Sequence, residues 1–493
     1  MNLKKVKMLT AILLVSVMLV SMFAACSDSG GNNTAADTTT AAGETVVNDE
    51  TKTDYLAQLP DEDLTGFTLS ILHYDDTWLT WAQNILDAEA EDGDLLNDAV
   101  YERNLYIKDR YKCDISITGV TNPDSMVRQL AMAGDSTYDI VFMYDLSVLN
   151  HLDSIMVWND VPYIDLTAPW WNPDAASIFD IAGKQVAVCG AYSISVLSRA
   201  AGYVFNKDIY SQFTFDESIY DSVNNGTWTL DGMYDIARMA VSDLNGDGVF
   251  DTNDRYGISS NLKEHYLRMH LGSGIQYLTK DSEGYPVFSL PTDEVAISKM
   301  QHIIDLNRDN NIFQYNQSSL HDGPAGDLFK NSKVIFEASP VFSIEKLRDV
   351  EFDIGVIPVP KYDEKQDRYY APSFGAEVQM MLRSVDMSRL DTIGLLLEAM
   401  SIHSHENLVQ TYKEVMLKTK YARDNESEAM LDIIFDSIWF EFGQNAWQEI
   451  VTTPFYNGVF MKLNDTLIST LTSMEQKVNA EIDKLKIAID NME

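Results

Sequence analysis

Apolar positions along the chain fall into short blocks whose spacing changes from one block to the next. Residues 66–74, GFTLSILHY, alternate and are rich in β-formers, which predicts a strand. Residues 94–112, DLLNDAVYERNLYIKDRYK, predict a helix with Leu96, Ala99, Val100, Ile107 and Tyr111 on one side. CDISITGV then predicts a second strand and PDSMVRQLAMAG a second helix. YDIVFMY, residues 138–144, is apolar almost throughout, as in a strand covered on both faces. Strand, helix, strand, helix, strand in about 80 residues is the pattern of an α/β sheet.

A second set follows. AAGYVFNKDIY (200–210) holds a strand ending at Asn206. TWTLDGMYDIARMAV (227–241) predicts a helix capped by Thr229, with Asp231 in its first turn and Met233, Ile236, Ala237 and Ala240 as the buried stripe. KVIFEAS (333–339), FDIGVIPVP (352–360) and VQMMLR (378–383) predict further strands. In residues 461–493 the apolar positions Leu467, Leu471, Met474, Val478, Ile482, Leu485 and Ile489 recur at steps of three and four, so this stretch predicts a long amphipathic helix.

The first 25 residues follow another logic. Lys4, Lys5 and Lys7 precede an apolar run, residues 8–25, that ends in small residues and is followed by polar sequence. That is a signal segment rather than a membrane span. Cys26 comes directly after FAA, an order similar to the lipobox of bacterial lipoproteins, whose cysteine is lipidated; Phe23 stands where the usual residue is Leu. Two or more acyl chains on one cysteine would anchor the chain stably, at about 0.8 kcal/mol per buried methylene. Residues 26–54, rich in Ser, Thr, Gly, Ala and Asp, read as a flexible tether, and the fold is expected to begin near Tyr55.

What remains is too long for one ordinary core and predicts two domains. Loss of the signal removes three lysines and moves the formal charge from −39 to −42. This excludes nucleic acid and anionic membrane surfaces as partners, and suits an exposed protein outside the cell. Cys113 and Cys189 could pair or stand as isolated thiols. HExxH, GxSxG, P-loop and GxGxxG motifs are absent. His403 and His405, two apart on a helix, point apart and read as a solvated helix end.

DLNGDGVFDTND, residues 243–254, has the spacing of a calcium loop. Asp243, Asn245 and Asp247 take positions 1, 3 and 5, and Gly248 takes the turn at 6. Val249 offers a backbone carbonyl at 7, while Asp251 and Asp254 stand at 9 and 12. Asp at 12 is shorter than the usual Glu. A sensor needs paired loops that open a groove. The chain has one such loop, so the expected role is a structural clamp holding one calcium.

The order of several pieces resembles the extracellular solute-binding lipoproteins of carbohydrate ABC importers, the maltose-binding type. They are GDSTYDIVFMYD, YIDLTAPWWN, GKQVAVCGAYS with GYVFNKDIY, TWTLDGMYDIARM, LFKNSKVIFEAS, FDIGVIPVPKYDE and YKEVMLKTKYARDNESEAMLDIIFDS. The resemblance covers about residues 60–440. It implies a two-lobed α/β fold of the periplasmic-binding-protein type II kind with a hinge. Lobe 1 is expected from residues 55–190 plus 376–403, and lobe 2 from 195–373 plus 405–460. It further implies a monomer that takes a carbohydrate ligand between the lobes, delivers it to ABC permease transmembrane subunits, and touches the membrane only through its lipid. Some members carry a comparable calcium loop with a structural role.

Ligands of open α/β sheets sit at the carboxyl ends of strands. The candidates there are Tyr74 and Asp75 after the first strand, and Tyr144 and Asp145 after DIVFM. Tyr192 stands at the first crossing between lobes, Phe374 and Glu377 near the second, and Trp439 after MLDIIFDS. Aromatic faces would stack on sugar rings while carboxylates pair with hydroxyls. Trp170 and Trp171 are expected to pack on the first lobe. The rival readings are a surface glycan-active enzyme, which needs two carboxylates flanking a bond, and a structural surface lipoprotein.

Overall fold

The computed structural model describes residues 53–75, 85–308, 312–316, 326–373, 375–417, 425–460, 462–463 and 466–492. Cys26, the tether and Phe374 lie outside them. Residues Asp54–Glu493 form one compact unit, built on two five-stranded sheets.

The first sheet contains β1 (Thr68–Tyr74), β2 (Asp114–Val120), β3 (Ile140–Tyr144) and β4 (Ile155–Met156). Its fifth strand arrives from far down the chain: β11 (Glu377–Leu382) lies antiparallel between β3 and β4, giving the order β2-β1-β3-β11-β4. The β1 strand runs parallel to both β2 and β3. In β3, Ile140 and Phe142 enter one apolar layer and Val141 and Met143 the other, so both faces are dry. The edge strand β2 instead alternates exposed and half-buried positions. Helix α1 (Leu95–Tyr111) covers this sheet. Asp94 caps it by accepting from the Leu96 and Asn97 amides, and it buries Ala99, Val100, Ile107 and Tyr111 together with the polar Arg103 and Asn104.

The second sheet has the order β7-β6-β8-β5-β9, from β5 (Ala201–Asn206), β6 (Tyr256–Asn261), β7 (Phe313–Asn316), β8 (Val334–Pro340) and β9 (Ile354–Pro358). Here β5 is the antiparallel strand, set between β8 and β9. Thr229 caps helix α2 (Leu230–Ala240) through the Gly232 amide, and Met233, Ala237 and Ala240 are buried as the spacing predicts.

The chain segments between the sheets lie side by side. Ala200 bridges Ser373, and β10 (Ala371–Pro372) pairs with β12 (Ile438–Trp439). Between β11 and β12 the helix α3 (Leu390–Glu406) packs on the first lobe. Its Glu398 is clamped by two indoles: Trp170 and Trp171 donate to its two carboxylate oxygens at 2.8 and 2.6 Å. The two tryptophans therefore pack as expected, and burial raises the Glu398 carboxyl pKa. His403 and His405 differ from the expected solvated end. They are half-buried, with rings 4.8 Å from Tyr106 and 6.5 Å from Trp170.

Helix α4 (Phe442–Trp447) follows β12. The long helix α5 (Leu467–Asp490) then buries all seven residues of its predicted stripe. Cys113 and Cys189 are free and buried. No described helix is long and apolar enough to cross a membrane.

Candidate functional site

The parallel strands β1 and β3 end side by side, and their last residues meet. The Tyr74 and Tyr144 rings lie 4.8 Å apart at 40°. Burial raises both phenol pKa values, that of Tyr144 to about 12, so both remain neutral donors. Tyr144 is half-buried, and the nearby positive charge of Arg199 opposes the rise in its phenol pKa.

Arg199 joins the two lobes. It stands on the first crossing, and its guanidinium carbon is 5.3 Å from the centre of the Phe342 ring, just past the end of β8 in the second lobe. Its Nε is buried with no hydrogen-bond partner among the described residues. Gly375 on the second crossing has φ 71°, and a side chain there would stand 3.6 Å from the guanidinium. The positive φ, rather than the space beside the arginine, favours glycine there.

The acidic candidates are mostly engaged by the protein itself. Asp145 is fully buried; its carboxylate accepts from the Gly375 amide at 3.1 Å and from the Asn445 side chain on α4. It links the end of β3 to both the second crossing and α4. Glu377 is also buried, 2.8 Å from the His73 ring, and its own amide donates to the Ser195 hydroxyl. Asp75 is half-buried and takes the Thr121 hydroxyl at 2.7 Å, the role of a carboxylate that fixes a turn.

Trp439 is half-buried, 4.9 Å from the Tyr370 ring. The Arg368 guanidinium covers the other partner of that pair, 4.9 Å from Tyr370, and reaches Asp174 at 2.7 Å. Tyr192 belongs elsewhere. It is fully buried in the first lobe, edge-on to Phe142 and Trp171, with its carbonyl held by Arg103 at 2.8 Å. A Cβ on Gly190 would stand 2.3 Å from the Tyr192 ring, so the ring is folded back against the crossing and offers no face to a ligand.

The structure thus brings together Tyr74, Tyr144, Asp145 and Glu377 at the edge of the first sheet, with Trp439 on a separate aromatic patch. To these it adds Arg199, Phe342, Asn445, His73 and Tyr370. Arg199 is the single basic residue between Gln185 and Asn206, a signal that could have been noticed. The others carry no local mark. A separate cavity of about 490 Å³ is walled by Trp170, Asn172, Gly190, His405, Lys413 and Phe435 among others. None of the ligand candidates lines it.

The loop 243–254 lies between α2 and β6, and Ser242 bridges Arg255 at its base. Asp243 accepts from the Gly246 and Gly248 amides, Asn245 from Asp247, Asp247 from Val249, and Asp251 from Asn253. Asp254 is buried and accepts from Leu244 and Asp251, and backbone donation by Asp251 lowers its carboxyl pKa. Among the described residues no three His, Cys, Asp or Glu side chains are gathered as a metal site. The donors are nonetheless all oxygens. An ionised carboxylate has about four lone-pair sites, so one amide contact leaves room for a hard cation.

These features define a two-lobed α/β fold with an aromatic and arginine junction between the lobes. It is the fold of the maltose-type substrate-binding proteins. The cyclic α-maltosyl-1,6-maltose binding protein of Arthrobacter globiformis has TM-score 0.55 and 16% identity, over 85% of this chain and 99% of that one. UspC of M. tuberculosis has TM-score 0.53 and 14% identity, over 84% and 100%. The ABC substrate-binding protein Lmo0181 of Listeria monocytogenes, solved with cycloalternan, has TM-score 0.51 and 11% identity, over 85% and 99%. At such identities the likeness is one of fold. No family model matches the chain, and no curated protein does.

Proposed function

We propose that this protein is an extracytoplasmic substrate-binding protein. It captures a sugar or oligosaccharide between its lobes and hands it, unaltered, to the transmembrane subunits of an ABC importer. The observation that carries this reading is Arg199 on the first crossing, its guanidinium over Phe342 of the second lobe and its charge felt by Tyr144 of the first. A ligand held by Tyr144 and Arg199 that also touches the second lobe favours the closed arrangement, because closure is stabilised only by contacts made to both lobes at once. Tyrosine faces suit the apolar side of a sugar ring, and a guanidinium suits its hydroxyls. Two of the fold neighbours are described as binding or holding cyclic saccharides, which supports the same class of ligand.

Cys26 carries the lipid that holds the protein at the outer face of the membrane, and the polar stretch after it is the tether. The loop 243–254 holds one calcium that stiffens the second lobe without gating the cleft.

The test is calorimetry against a panel of linear and cyclic oligosaccharides, with product analysis of the same mixtures. Saturable binding with interlobe closure and no bond cleavage is the expected result. Cleavage of any glycan by the purified protein would replace this reading with an enzyme. Intact-mass analysis of the membrane-extracted protein tests the anchor; an unmodified Cys26 would remove it.

A further inference from the structure

The two lobes also meet at a pair of hairpins that continue from the crossing, where Phe179 packs on Phe440 and the Tyr277 and Leu278 amides donate to Glu441. A hairpin of the first lobe pairs Asp180–Ile181 with Lys184–Gln185, and it is held there by Trp158 and Asn159. A hairpin of the second lobe pairs Thr279–Lys280 with Pro286–Val287. Their turns abut. The Ala182 amide donates to the Gly284 carbonyl at 3.2 Å. Gly284 has φ 86°, and a Cβ there would lie 3.0 Å from the Ala182 backbone, so only glycine lets the two backbones approach this closely.

Two lysines cross the same boundary in opposite directions. Lys184 of the first lobe donates to the carbonyls of Ile489 and Met492, at the end of α5, which is packed on the second lobe. Lys280 of the second lobe donates to the carbonyls of Ser177 and Asp180, at the end of a short helix of the first lobe. Each ammonium thus meets carbonyls at a helix end, where lysine side chains commonly donate to the last turn. On the second-lobe side, Tyr285 contacts Asp490, and Lys486 lies 3.8 Å from Asp281.

We infer that this reciprocal lysine clasp is a second fixed point of the hinge and restricts the lobes to one axis of rotation. Bodies joined at two places turn only about the line through both. One place is the bundle of crossings around Ala200, Ser373 and Trp439. The other is the contact of Ala182 with Gly284. Bending about that line leaves the clasp intact; twisting or sliding of one lobe over the other breaks it. The inference depends only on the two-lobed fold, not on which ligand the cleft takes.

The test uses the ligand-free protein with one fluorophore on each lobe, through Glu102→Cys on α1 and Met239→Cys on α2. Single-molecule energy transfer gives the width of the interlobe distance distribution, and hydrogen exchange gives protection of the Ala182 amide. Lys184→Met with Lys280→Met removes the donors, and Gly284→Leu separately wedges the turns apart. Both variants are expected to lose Ala182 protection and to broaden the distribution roughly twofold, as an added degree of lobe freedom requires. Protection of the α5 stripe, Leu471 to Ile482, is expected to stay as it was, which shows that the fold persists. An unchanged width in variants whose Ala182 amide has become unprotected overturns the inference. So does an Ala182 amide that already exchanges freely in the parent protein.

Discussion

Asn445 donates its side-chain amide to Asp145, a partner 300 residues earlier in the chain. The same nitrogen also reaches the Ser373 carbonyl at 3.0 Å. One side chain on α4 thus ties the end of β3 to the second crossing. Asp145→Ala would take away the acceptor of one Asn445 side-chain N–H and of the half-buried Gly375 N–H. The expected loss is about 1–3 kcal/mol, the cost of stranding buried donors. Urea denaturation checks it, and Asn445→Ala in the Asp145→Ala background should cost less than it does alone.

Arg199→Met keeps the length of the side chain and removes its charge and its donors. If Arg199 joins the ligand to both lobes, affinity for the glycan selected by the panel should fall roughly ten- to a hundredfold, the worth of a charged hydrogen bond. The melting temperature should change little, because the guanidinium is only partly buried. Calorimetry and a thermal melt separate the two effects.

Calcium should act on stability alone. Four carboxylates in twelve residues repel one another without a cation. An ion bound only to the folded state adds roughly 2.7 kcal/mol at a hundredfold excess over its Kd. Chelation is expected to lower the melting temperature, and Asp247→Ala should make that temperature indifferent to chelator. Glycan affinity at room temperature should be the same with and without the ion. Melting that chelator leaves untouched would remove calcium from the loop.

Acid should unfold the second lobe through two histidines. His265 and His270 are fully buried, and burial depresses both pKa values to about 3. Their folded values lie below the unfolded value of about 6.5, so each contributes stability that is fully present above pH 6.5. That stability is lost as pH falls toward 3, by about 1.4 kcal/mol per unit for each histidine. Glu441 works the other way. Burial raises its carboxyl pKa to about 7, so its contribution is present below the unfolded value of about 4.3 and lost as pH rises through 7. The histidines outnumber it. Denaturant midpoints should therefore fall between pH 6 and pH 4, and His270→Phe should make that fall shallower.

Strand β3 and helix α5 were legible in the chain because each is defined by its own neighbours: an unbroken apolar run in one, a three-and-four step in the other. The cap at Thr229 was legible for the same reason. The pairing of His73 with Glu377 was not, since the partners are 304 residues apart and neither has a local reason to expect the other. Tyr192 failed differently. Its place just before the second lobe suggested a cleft, but the direction of its ring is fixed by Gly190, Phe142 and Trp171 together. Asp145 and Glu377 lie at the strand edge where the sheet rule puts them. What the rule could not supply is that other parts of the chain take up their carboxylates.

The two free cysteines make the lobe motion easy to observe. Maleimides react with thiolates, and a thiol with a high pKa offers few of them at neutral pH. Cys113 is 6% exposed with its pKa pushed up to about 11 by burial, and Cys189 is 3% exposed and pushed higher still. Dyes offered to a cysteine placed on an outer helix should therefore choose it over both native thiols. The protein can be labelled on each lobe while it keeps both of its own buried cysteines.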